Sequence, residues 1–491
     1  MRSVMGVFQF QENLLLVGHC GRGSVPHFSD YAGNNLSLEI QGSHSFPSRL
    51  RFSPHPHAST SSSSLTASEP LFDASTKQKK KRIAGIDQDE LLDPALLADP
   101  DSCFCEFSGV QIHHKVYDAE SQAHNSLQNQ TLSQVPNQTK KVRLPMVLLH
   151  GFGASVFSWN RVLKPLGELT GSKVLAFDRP AFGLTSRVNF STATHSTHGN
   201  EDGKPLNPYS MAFSVLATLY FIDFLAAEKA ILVGHSAGCL TAVNLYFEAP
   251  ERIAALILVA PAILAPLTVH KVVEGKQLGR ENQMGEDSLD LSSLRNPFLR
   301  LSEILLKCFK FVAQAIMRMA KGMAVMLNSL YKKLLSAILR SALAVMLVRM
   351  VIDKFGVAAI RNAWYNSSLV TEHVLYGYTK PLRTKGWDRA LVEYTAAMLT
   401  DTGFESKPPL TKRLHEITCP VLIVTGDSDR IVPSWNARRL AQTIPGSYLE
   451  VIKHCGHIPH EEKVEEFVSV VEKFLQRVFG ESEKQCLQAV T

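Results

Sequence analysis

The sequence predicts an α/β fold in which a mostly parallel sheet is covered by helices on both faces. The first observation is a series of short apolar runs with the length of buried strands. The second is that helix-length segments, such as Tyr209–Ala227 and Cys239–Glu248, separate them. Strands buried on both faces read as continuous apolar runs, and their alternation with helices favours parallel pairing. The runs are Leu144–His150, Lys173–Asp178, Ala230–Gly234, Ala255–Ala260, Pro420–Thr425 and Tyr448–Ile452.

Composition indicates a globular protein with one large core, or with a core and an inserted domain. The chain has 491 residues, of which 45% are hydrophobic and 20% charged, and its formal net charge is +6. No stretch of eighteen residues is both apolar and uncharged, so no spanning helix is expected. The eight cysteines match no zinc pattern, because Cys103 and Cys105 lack a second pair of ligands. We expect reduced thiols, no metal ion, no cofactor and no nucleic acid.

Residues 1–95 are predicted to be a disordered leader that resembles an organelle transit peptide. Residues 41–68 contain ten serines, and only Glu12, Asp30 and Glu39 are acidic between Met1 and Ser68. Such polar segments cannot bury enough apolar surface to offset the entropy of ordering. The Ser-rich, acid-poor style is nearest to chloroplast leaders, so localisation in the plastid is expected. The basic cluster at residues 77–82 is interpreted as a solvated hinge rather than as a nuclear import signal.

The loop after the predicted strand Ala230–Gly234 carries a candidate nucleophile, Ser236. Gly234 to Gly238 reads G-x-S-x-G, follows a Val/Leu/Ile strand and opens a helix. This pattern is typical of a sharp strand-to-helix turn that holds the serine in a strained conformation beside a helix N-terminus. Ligands of parallel sheets bind beyond the carboxyl ends of the strands, which is where this turn lies.

The loop after Leu144–His150 is a candidate oxyanion hole. It reads His-Gly-Phe-Gly-Ala-Ser over residues 150–155, and its glycines allow the Phe152 backbone N–H to approach the nucleophile. The Ala237 N–H is its predicted partner. His150 itself is expected to brace the loop rather than to take part in the chemistry.

The loop after Pro420–Thr425 offers two carboxylates, Asp427 and Asp429, within Gly426–Pro433. A carboxylate at a strand end can orient a histidine and stabilise its charged form. Spacing alone does not separate the two residues.

The loop after the last predicted strand offers three histidines, His454, His457 and His460. His457 is favoured because a flexible glycine, Gly456, precedes it and because it lies in the loop. A metal site is disfavoured, since the spacing of the three histidines is poor for a helix and Pro459 breaks any helix there.

These motifs resemble the α/β-hydrolase superfamily, in the branch with an H-G-F-G-A-S loop and the D-R-P-A-F-G loop at residues 178–183. The resemblance covers residues 100–265 and 410–480, which are the two predicted parts of the core. It implies the chain order Ser, Asp, His. The family acid in G-x-x-D carries over to Asp429, and the family histidine in G-H-x-P-H-x-E carries over to His457. The leader and the segments at 370–378 and 385–391 also resemble plant, plastid-targeted members.

Residues 266–409 are predicted to form a large helical cap inserted into the core. From Arg295 to Lys354 there are eleven Lys or Arg residues, two acidic residues and six of the chain's twelve methionines. A basic helical face contains Arg300, Glu303, Lys307, Lys310, Gln314, Arg318 and Lys321. The opposite face contains Leu301, Leu305, Cys308, Val312, Ala315, Met319 and Met323. This pattern fits a membrane-surface helix and an ordinary cap helix equally well.

The resemblance implies a serine hydrolase with the triad Ser236, Asp429 and His457 and with Phe152 and Ala237 as the oxyanion hole. The expected reaction is cleavage of a carboxylic ester of a small lipophilic substrate through an acyl-enzyme, because an adaptable, Met-rich lid suits such a substrate. Thioester cleavage, acyl transfer and C–C bond hydrolysis need the same triad and stay open. A ligand receptor without turnover is the alternative from another class. Peripheral membrane contact through the cap is a further expectation.

Overall fold

The computed structural model describes residues 82–121, 141–188, 206–266, 297–400 and 408–488; for residues 297–305 and 481–488 it describes the backbone alone. The strands are β1 (Arg82–Ile83), β2 (Ile86–Asp87), β3 (Cys103–Phe107), β4 (Val110–Asp118), β5 (Met146–Leu149), β6 (Lys173–Phe177), β7 (Ala230–His235), β8 (Ile253–Val259), β9 (Val421–Gly426) and β10 (Tyr448–Ile452). The helices are α1 (Asn160–Thr170), α2 (Met211–Phe224), α3 (Gly238–Glu248), α4 (Pro297–Leu339), α5 (Ala342–Ala363), α6 (Glu372–Thr379), α7 (Trp387–Thr400), α8 (Leu410–Arg413), α9 (Ser434–Thr443), α10 (Pro459–Glu462) and α11 (Val464–Gln488). Short 3-10 helices lie at Pro94–Leu97, Val156–Trp159, Pro250–Arg252, Ser367–Leu369, Lys380–Arg383 and Leu414–Glu416.

Strands β3 to β10 form one eight-stranded sheet in the order β10-β9-β8-β7-β5-β6-β4-β3. The six strands from β5 to β10 pair in parallel, while β4 pairs antiparallel with both β6 and β3. These six parallel strands are the six apolar runs of the sequence. The predicted α/β-hydrolase fold, with its mostly parallel sheet, is therefore confirmed.

Both faces of the sheet are buried, because successive side chains of a strand point to opposite faces. On β5, Val147 and Leu149 join a core with α2, α3 and α9. Met146 and Leu148 join a second core with α1 and α11. Full burial of each such side chain contributes about 2 kcal/mol. The two cores therefore fix the strand ends, and with them the loops that carry the chemistry.

The cap inserted between β8 and β9 contains helices α4 to α7, as the sequence predicts, although residues 267–296 and 401–407 lie outside the described ranges. Leu306–Leu339 and Ala342–Ala363 meet at an angle of 61°. Salt bridges join this bent pair to α7: Arg340 Nε lies 2.7 Å from a Glu393 oxygen, and Arg349 Nε lies 2.6 Å from an Asp388 oxygen.

No single helix within the described ranges has the length and the apolar character that crossing a membrane requires. The bent pair of Leu306–Leu339 with Ala342–Ala363 meets that requirement jointly, on length and composition alone.

The leader predicted for residues 1–95 lies outside the described residues up to residue 81, but its last part is folded against the cap. The N–H of Ala84 donates to Asp353 of α5 at 2.9 Å, and the indole N–H of Trp387 donates to Gln88 at 3.0 Å. Leu92 N–H donates to the carbonyl of Arg383 at 2.8 Å. The predicted boundary at residue 95 was thus too late, because this segment is held by pairing with the cap rather than by an apolar run of its own.

Candidate active site

Ser236 occupies the turn between β7 and α3 in a left-handed backbone conformation, with φ +50°. Its N–H donates to the carbonyl of Val259 at 2.9 Å, and its own carbonyl accepts the N–H groups of Cys239 and Ala262. These bonds hold a conformation that costs an L-residue on the order of 1 kcal/mol. Ser236 is buried and keeps 9% of its accessible surface.

The glycines that flank Ser236 are required by close backbone approach. A Cβ atom on Gly234 would lie 2.8 Å from the backbone of Cys239. A Cβ atom on Gly238 would lie 2.1 Å from the carbonyl oxygen of Leu149 at the end of β5. The G-x-S-x-G pattern is thus explained by the sharpness of this turn and by the strand packed beneath it.

Asp429 and His457 form a buried pair between the ends of β9 and β10. Nδ1 of His457 lies 2.7 Å from Oδ2 of Asp429, and Oδ1 of Asp429 accepts the N–H groups of Ile431 and Val432 at 2.8 and 2.9 Å. Bonding at Nδ1 leaves Nε2 of His457 as the ring nitrogen available to a nucleophile. The arrangement can orient the imidazole and stabilise its protonated form.

His457 lies beside the residue that precedes the nucleophile. The ring centroids of His235 and His457 are 4.9 Å apart, and Nε2 of His235 lies 3.0 Å from the carbonyl oxygen of His457. His235 is fully buried and its pKa is well below the usual value, first because of burial and then because His460 and His457 are close. A neutral His235 can donate to the His457 carbonyl. This contact was not predicted from the sequence.

Asp427, the alternative acid, lies at the surface and does not contact His457. It accepts from the Ser428 hydroxyl at 2.9 Å and from the Cys455 N–H at 3.3 Å. The structure therefore distinguishes the two candidate acids, which sequence spacing could not do. Asp429 contacts His457, whereas Asp427 joins the loop after β9 to the loop after β10.

The predicted oxyanion loop packs directly against the serine turn. A Cβ atom on Gly151 would lie 2.9 Å from Nδ1 of His235 and 3.2 Å from Cβ of Ser236, so a larger residue there would push against the serine turn. Within the part of the chain that the structure describes, the N–H groups of Phe152 and Ala237 have no hydrogen-bond acceptor. Unpaired donors beside Ser236 are what a developing oxyanion requires.

His150 braces this loop, as the sequence predicts. Its Nδ1 donates to the carbonyl of Gly151 at 2.7 Å, and its Nε2 accepts the N–H of Arg179 at 3.0 Å. Arg179 is fully buried and donates from Nη2 to the carbonyl of His150 at 2.9 Å. Burial first, and the Arg179 charge second, lower the pKa of His150 to about 3. Arg179 thus also braces the loop, a role that was not predicted from the sequence.

A hydrogen-bonded Ser–His–Asp group is also formed by Ser102, His113 and Asp178. Nδ1 of His113 lies 2.7 Å from Oδ2 of Asp178, and Nε2 of His113 lies 2.8 Å from the Ser102 hydroxyl. Asp178 also accepts the N–H groups of Val156 and Leu184. Burial by itself raises the pKa of Asp178, but His113 and the Leu184 N–H lower it to about 2. This group holds two loops together, and Ser102 does not share the left-handed turn of Ser236.

The loop that carries His457 is hydrogen-bonded to the C-terminal end of cap helix α5. The N–H of His457 donates to the carbonyl of Ala363, the last residue of α5, at 2.6 Å. Glu462 accepts the N–H groups of Gly456, Tyr365 and Asn366 at 2.8 to 3.0 Å. The position of His457 thus depends on contacts with residues at and just after the C-terminal end of α5.

The other two histidines of this loop do not converge with His457 on one point. His454 is exposed, whereas His460 is buried with its ring 4.3 Å from that of Trp159. Burial, and then the nearby His457, lower the pKa of His460 to about 3. Within the described residues, no three His, Cys, Asp or Glu side chains are grouped to hold a metal ion.

A buried carboxyl, Glu461, lies two residues beyond Pro459 on the far side of the loop. It accepts from the Tyr378 hydroxyl of α6, and burial raises its pKa to about 8 although Tyr378 and Arg161 act in the opposite direction. Glu461 is therefore protonated at neutral pH.

The fold and the serine turn define a class of protein, and the comparisons agree with it. A model of the alpha/beta hydrolase family matches residues 146–470, and the chain belongs to this family. It is 25% identical over 335 residues to the abhydrolase domain-containing protein abhd-5.2 of Caenorhabditis elegans, an alignment that covers 67% of this chain and 59% of that protein.

Two further comparisons cover different shares of the chain. The 1-acylglycerol-3-phosphate O-acyltransferase ABHD5 of Sus scrofa is 32% identical over 120 residues, which are 24% of this chain and 30% of that protein. The solved structure of the 2-hydroxy-6-oxo-6-phenylhexa-2,4-dienoate hydrolase of Rhodococcus sp. strain RHA1 matches with a TM-score of 0.44 at 18% identity, covering 76% of this chain and 99% of that one.

Proposed function

We propose that the protein is a serine hydrolase that cleaves a carboxylic ester of a lipophilic substrate through an acyl-enzyme. The observation that carries the proposal is the placement of Ser236 at φ +50° on the turn between β7 and α3. The preceding residue, His235, lies against His457, which is paired with Asp429 at 2.7 Å. A serine on such a turn presents its hydroxyl at the carboxyl end of the sheet, and a base lies within the same loop cluster.

The reaction follows from the residues in two halves. In the first, the hydroxyl oxygen of Ser236 bonds to the ester carbonyl carbon while Nε2 of His457 accepts its proton. The oxyanion then accepts hydrogen bonds from the N–H groups of Phe152 and Ala237, each contributing about a hundredfold or more in rate. The carbon–oxygen bond to the alcohol breaks as His457 returns the proton to that alcohol.

In the second half, water attacks the acyl-enzyme with His457 again as the base. The ester bond to Ser236 breaks, its hydroxyl regains the proton from His457, and the carboxylic acid is released. Asp429 keeps the imidazole in one orientation and stabilises its charged form throughout.

The proposal of a lipophilic substrate is supported by the side chains around the oxyanion loop. Phe152 is half exposed, and its ring centroid lies 5.5 Å from that of Phe182 and 6.1 Å from that of Tyr394. Tyr394 belongs to α7 of the cap, so aromatic surface from both the core and the cap borders the loop. Apolar and aromatic walls with few polar groups are typical of sites for small lipophilic molecules.

Transfer of the acyl group to an alcohol is the second candidate. The Sus scrofa relative is named as an O-acyltransferase, and the same acyl-enzyme serves if an alcohol replaces water in the second half. Thioester cleavage and C–C hydrolysis would use the same residues. In the receptor alternative, ligand would bind without turnover.

The test is turnover of a series of p-nitrophenyl esters from acetate to palmitate, with and without added glycerol. We expect the wild type to favour the longer chains and the Ser236→Ala variant to lose at least about a thousandfold in kcat. Acylated glycerol among the products would favour the transferase. Saturable binding of the esters without turnover by the wild type would contradict the hydrolase proposal.

We also propose import into the plastid, on the basis of the Ser-rich, acid-poor segment between Met1 and Ser68. The measurement is the location of a fluorescent protein fused behind residues 1–81 in plant cells. Fluorescence in the cytosol would contradict the proposal.

A further inference from the structure

The two long cap helices have an unusual surface: no side chain from residue 306 to residue 363 is buried. Phe309 of α4 keeps 71% of its accessible surface and Met319 keeps 75%. Apolar side chains of this size on a water-soluble helix are normally covered by a core, so a helix that leaves them uncovered presents a surface for a partner.

Most of the exposed apolar side chains of α4 lie on one face, whereas Phe311 and Val325 lie on the side of the basic residues. The side chains of the apolar face recur every three or four residues, which is the spacing of one side of an α-helix. The apolar stripe begins with Phe309, Val312, Ile316, Met319, Met323 and Leu327 and continues in the same spacing to Ile338. At 1.5 Å per residue it is roughly 44 Å long. A straight stripe of this length matches an extended surface better than a pocket.

The charge of α4 indicates which kind of partner surface it binds. Between Leu306 and Leu339 the sequence has six basic residues and no acidic residue. Among the side chains that the structure describes, the basic face consists of Lys307, Lys310, Arg318 and Lys321. It lies on the opposite side of α4 from the apolar stripe. A helix with an apolar stripe on one side and a basic face on the other is complementary to a surface that is apolar inside and negatively charged outside, which is an anionic lipid bilayer.

A second copy of the chain fits this surface less well. Two α4 helices laid stripe to stripe would leave both basic faces on the outside of the pair, and α4 has no acidic residue between Leu306 and Leu339 that could serve as their counter-charge. The lipid surface supplies both the apolar phase and the counter-charge.

The stripe is also connected to the candidate active site. Helix α5 follows α4 after a short break, and its last residue, Ala363, accepts the N–H of His457 at 2.6 Å. If the helix pair binds lipid, the C-terminal end of α5 therefore lies at the loop of the proposed base, next to the site that the substrate has to reach.

We propose that α4 docks the protein on an anionic lipid surface through the apolar stripe and the basic face, so that the lipophilic substrate enters from that surface. The second part rests on the proposed function, whereas docking itself does not. Docking is peripheral: the cations stay at the headgroups, and the apolar side chains enter the headgroup and upper acyl region.

The test is co-sedimentation of the 491-residue chain with vesicles, on a Ser236→Ala background so that no lipid is consumed. Vesicles of phosphatidylcholine alone are compared with vesicles of equal parts phosphatidylcholine and phosphatidylglycerol. We expect binding to the second kind, with a partition coefficient at least about tenfold higher, and release at about 1 M salt, where the Debye length is about 3 Å.

Three variants separate the contributions. The first replaces Lys307, Lys310, Arg318 and Lys321 by Gln, and the second replaces Phe309, Met319 and Met323 by Gln. The matched control replaces Lys164, Lys229, Lys412 and Lys473 by Gln, which removes the same charge from exposed positions outside α4. We expect the first two to lose at least about tenfold in the partition coefficient and the control to keep most of the binding.

Several outcomes would overturn the proposal. They are equal binding by all variants, no binding to anionic vesicles, or a dimer in light scattering that the second variant abolishes. Binding that resists both high salt and alkaline carbonate would indicate that the bent helix pair is embedded rather than docked. Because the background lacks Ser236, none of these results depends on whether the proposed ester hydrolysis is correct.

Discussion

Oδ2 of Asp429 lies 2.7 Å from Nδ1 of His457, while Oδ1 of the same carboxylate accepts two backbone N–H groups. The carboxylate is thus fixed at both oxygens, and it holds one tautomer of the imidazole with the proton on Nδ1. The neighbouring Asp427 is used differently, since its oxygen binds Ser428 and Cys455 at the surface. The two aspartates, two residues apart, should therefore respond very differently to the same substitution.

Asp429→Asn should lower kcat by roughly ten-thousandfold, because an amide can favour the wrong tautomer of His457. Asp427→Asn, its matched control, should lower kcat by less than about tenfold. The measurement is steady-state turnover of the best p-nitrophenyl ester from the series. A larger loss in Asp427→Asn than in Asp429→Asn would reverse the assignment.

Gly238→Ala should prevent stable folding, because its Cβ would lie 2.1 Å from the Leu149 carbonyl oxygen and neither backbone can withdraw. We expect a loss of more than about 3 kcal/mol in the free energy of unfolding. The control is Gly322→Ala in α4, where nothing lies within 4 Å of the new Cβ and helix propensity rises by up to about 1 kcal/mol. Urea denaturation compares the stabilities of the two variants. An unchanged midpoint for Gly238→Ala would contradict the close approach of Gly238 to the Leu149 carbonyl.

Glu461→Gln should change how stability depends on pH. The pKa of Glu461 is about 8 in the folded protein against 4.5 for an ordinary glutamate. Between these values the folded state keeps a proton that the unfolded state loses, so this group makes the wild type less stable as the pH rises from about 4.5 to about 8. Glutamine cannot ionise, so the variant lacks this decline.

Urea denaturation at pH 5 and at pH 8.5 measures the effect. The variant should gain stability relative to the wild type between the two pH values, by an amount on the order of a few kcal/mol. If the difference between the two proteins is the same at both pH values, Glu461 is already ionised in the folded state and the pKa assignment is wrong.

Glu462→Ala should loosen the loop of His457, because it leaves the N–H groups of Gly456, Tyr365 and Asn366 without their acceptor. We expect kcat to fall about tenfold with little change in KM, and Glu462→Gln to restore part of it. Glu466→Ala is the control, since its only described ion pair is an exposed one with Lys463. Equal kcat values for Glu462→Ala and Glu466→Ala would show that the contact does not position His457.

Much of the fold could be predicted from the sequence because the parallel strands are buried on both faces. Continuous apolar runs such as Ile231–Val233 have no competing explanation once helices alternate with them. The short strands β1 and β2 were not predicted, because residues 82–87 carry no apolar run and are held by the cap. Pairing that depends on a distant partner, such as Ala84 with Asp353, leaves no local pattern.

The candidate site was predictable to the extent that its residues follow strand ends. Ser236, Asp429 and His457 each lie in the loop that follows a strand of the parallel sheet, and flanking glycines mark two of them. Asp429 could not be separated from Asp427 because spacing carries no information about burial. The contact of His457 with Ala363 was not foreseen, since it joins the core to the end of a long insertion.

The central claim, that Ser236 is the nucleophile, is tested most directly by labelling with a fluorophosphonate probe and locating the adduct by peptide mass spectrometry. The protein also contains the hydrogen-bonded group of Ser102, His113 and Asp178. Ser102→Ala is therefore the matched control for Ser236→Ala. We predict an adduct on Ser236 in the wild type and in Ser102→Ala, and no labelling of a folded Ser236→Ala. An adduct on Ser102, or undiminished labelling of Ser236→Ala, would contradict the account.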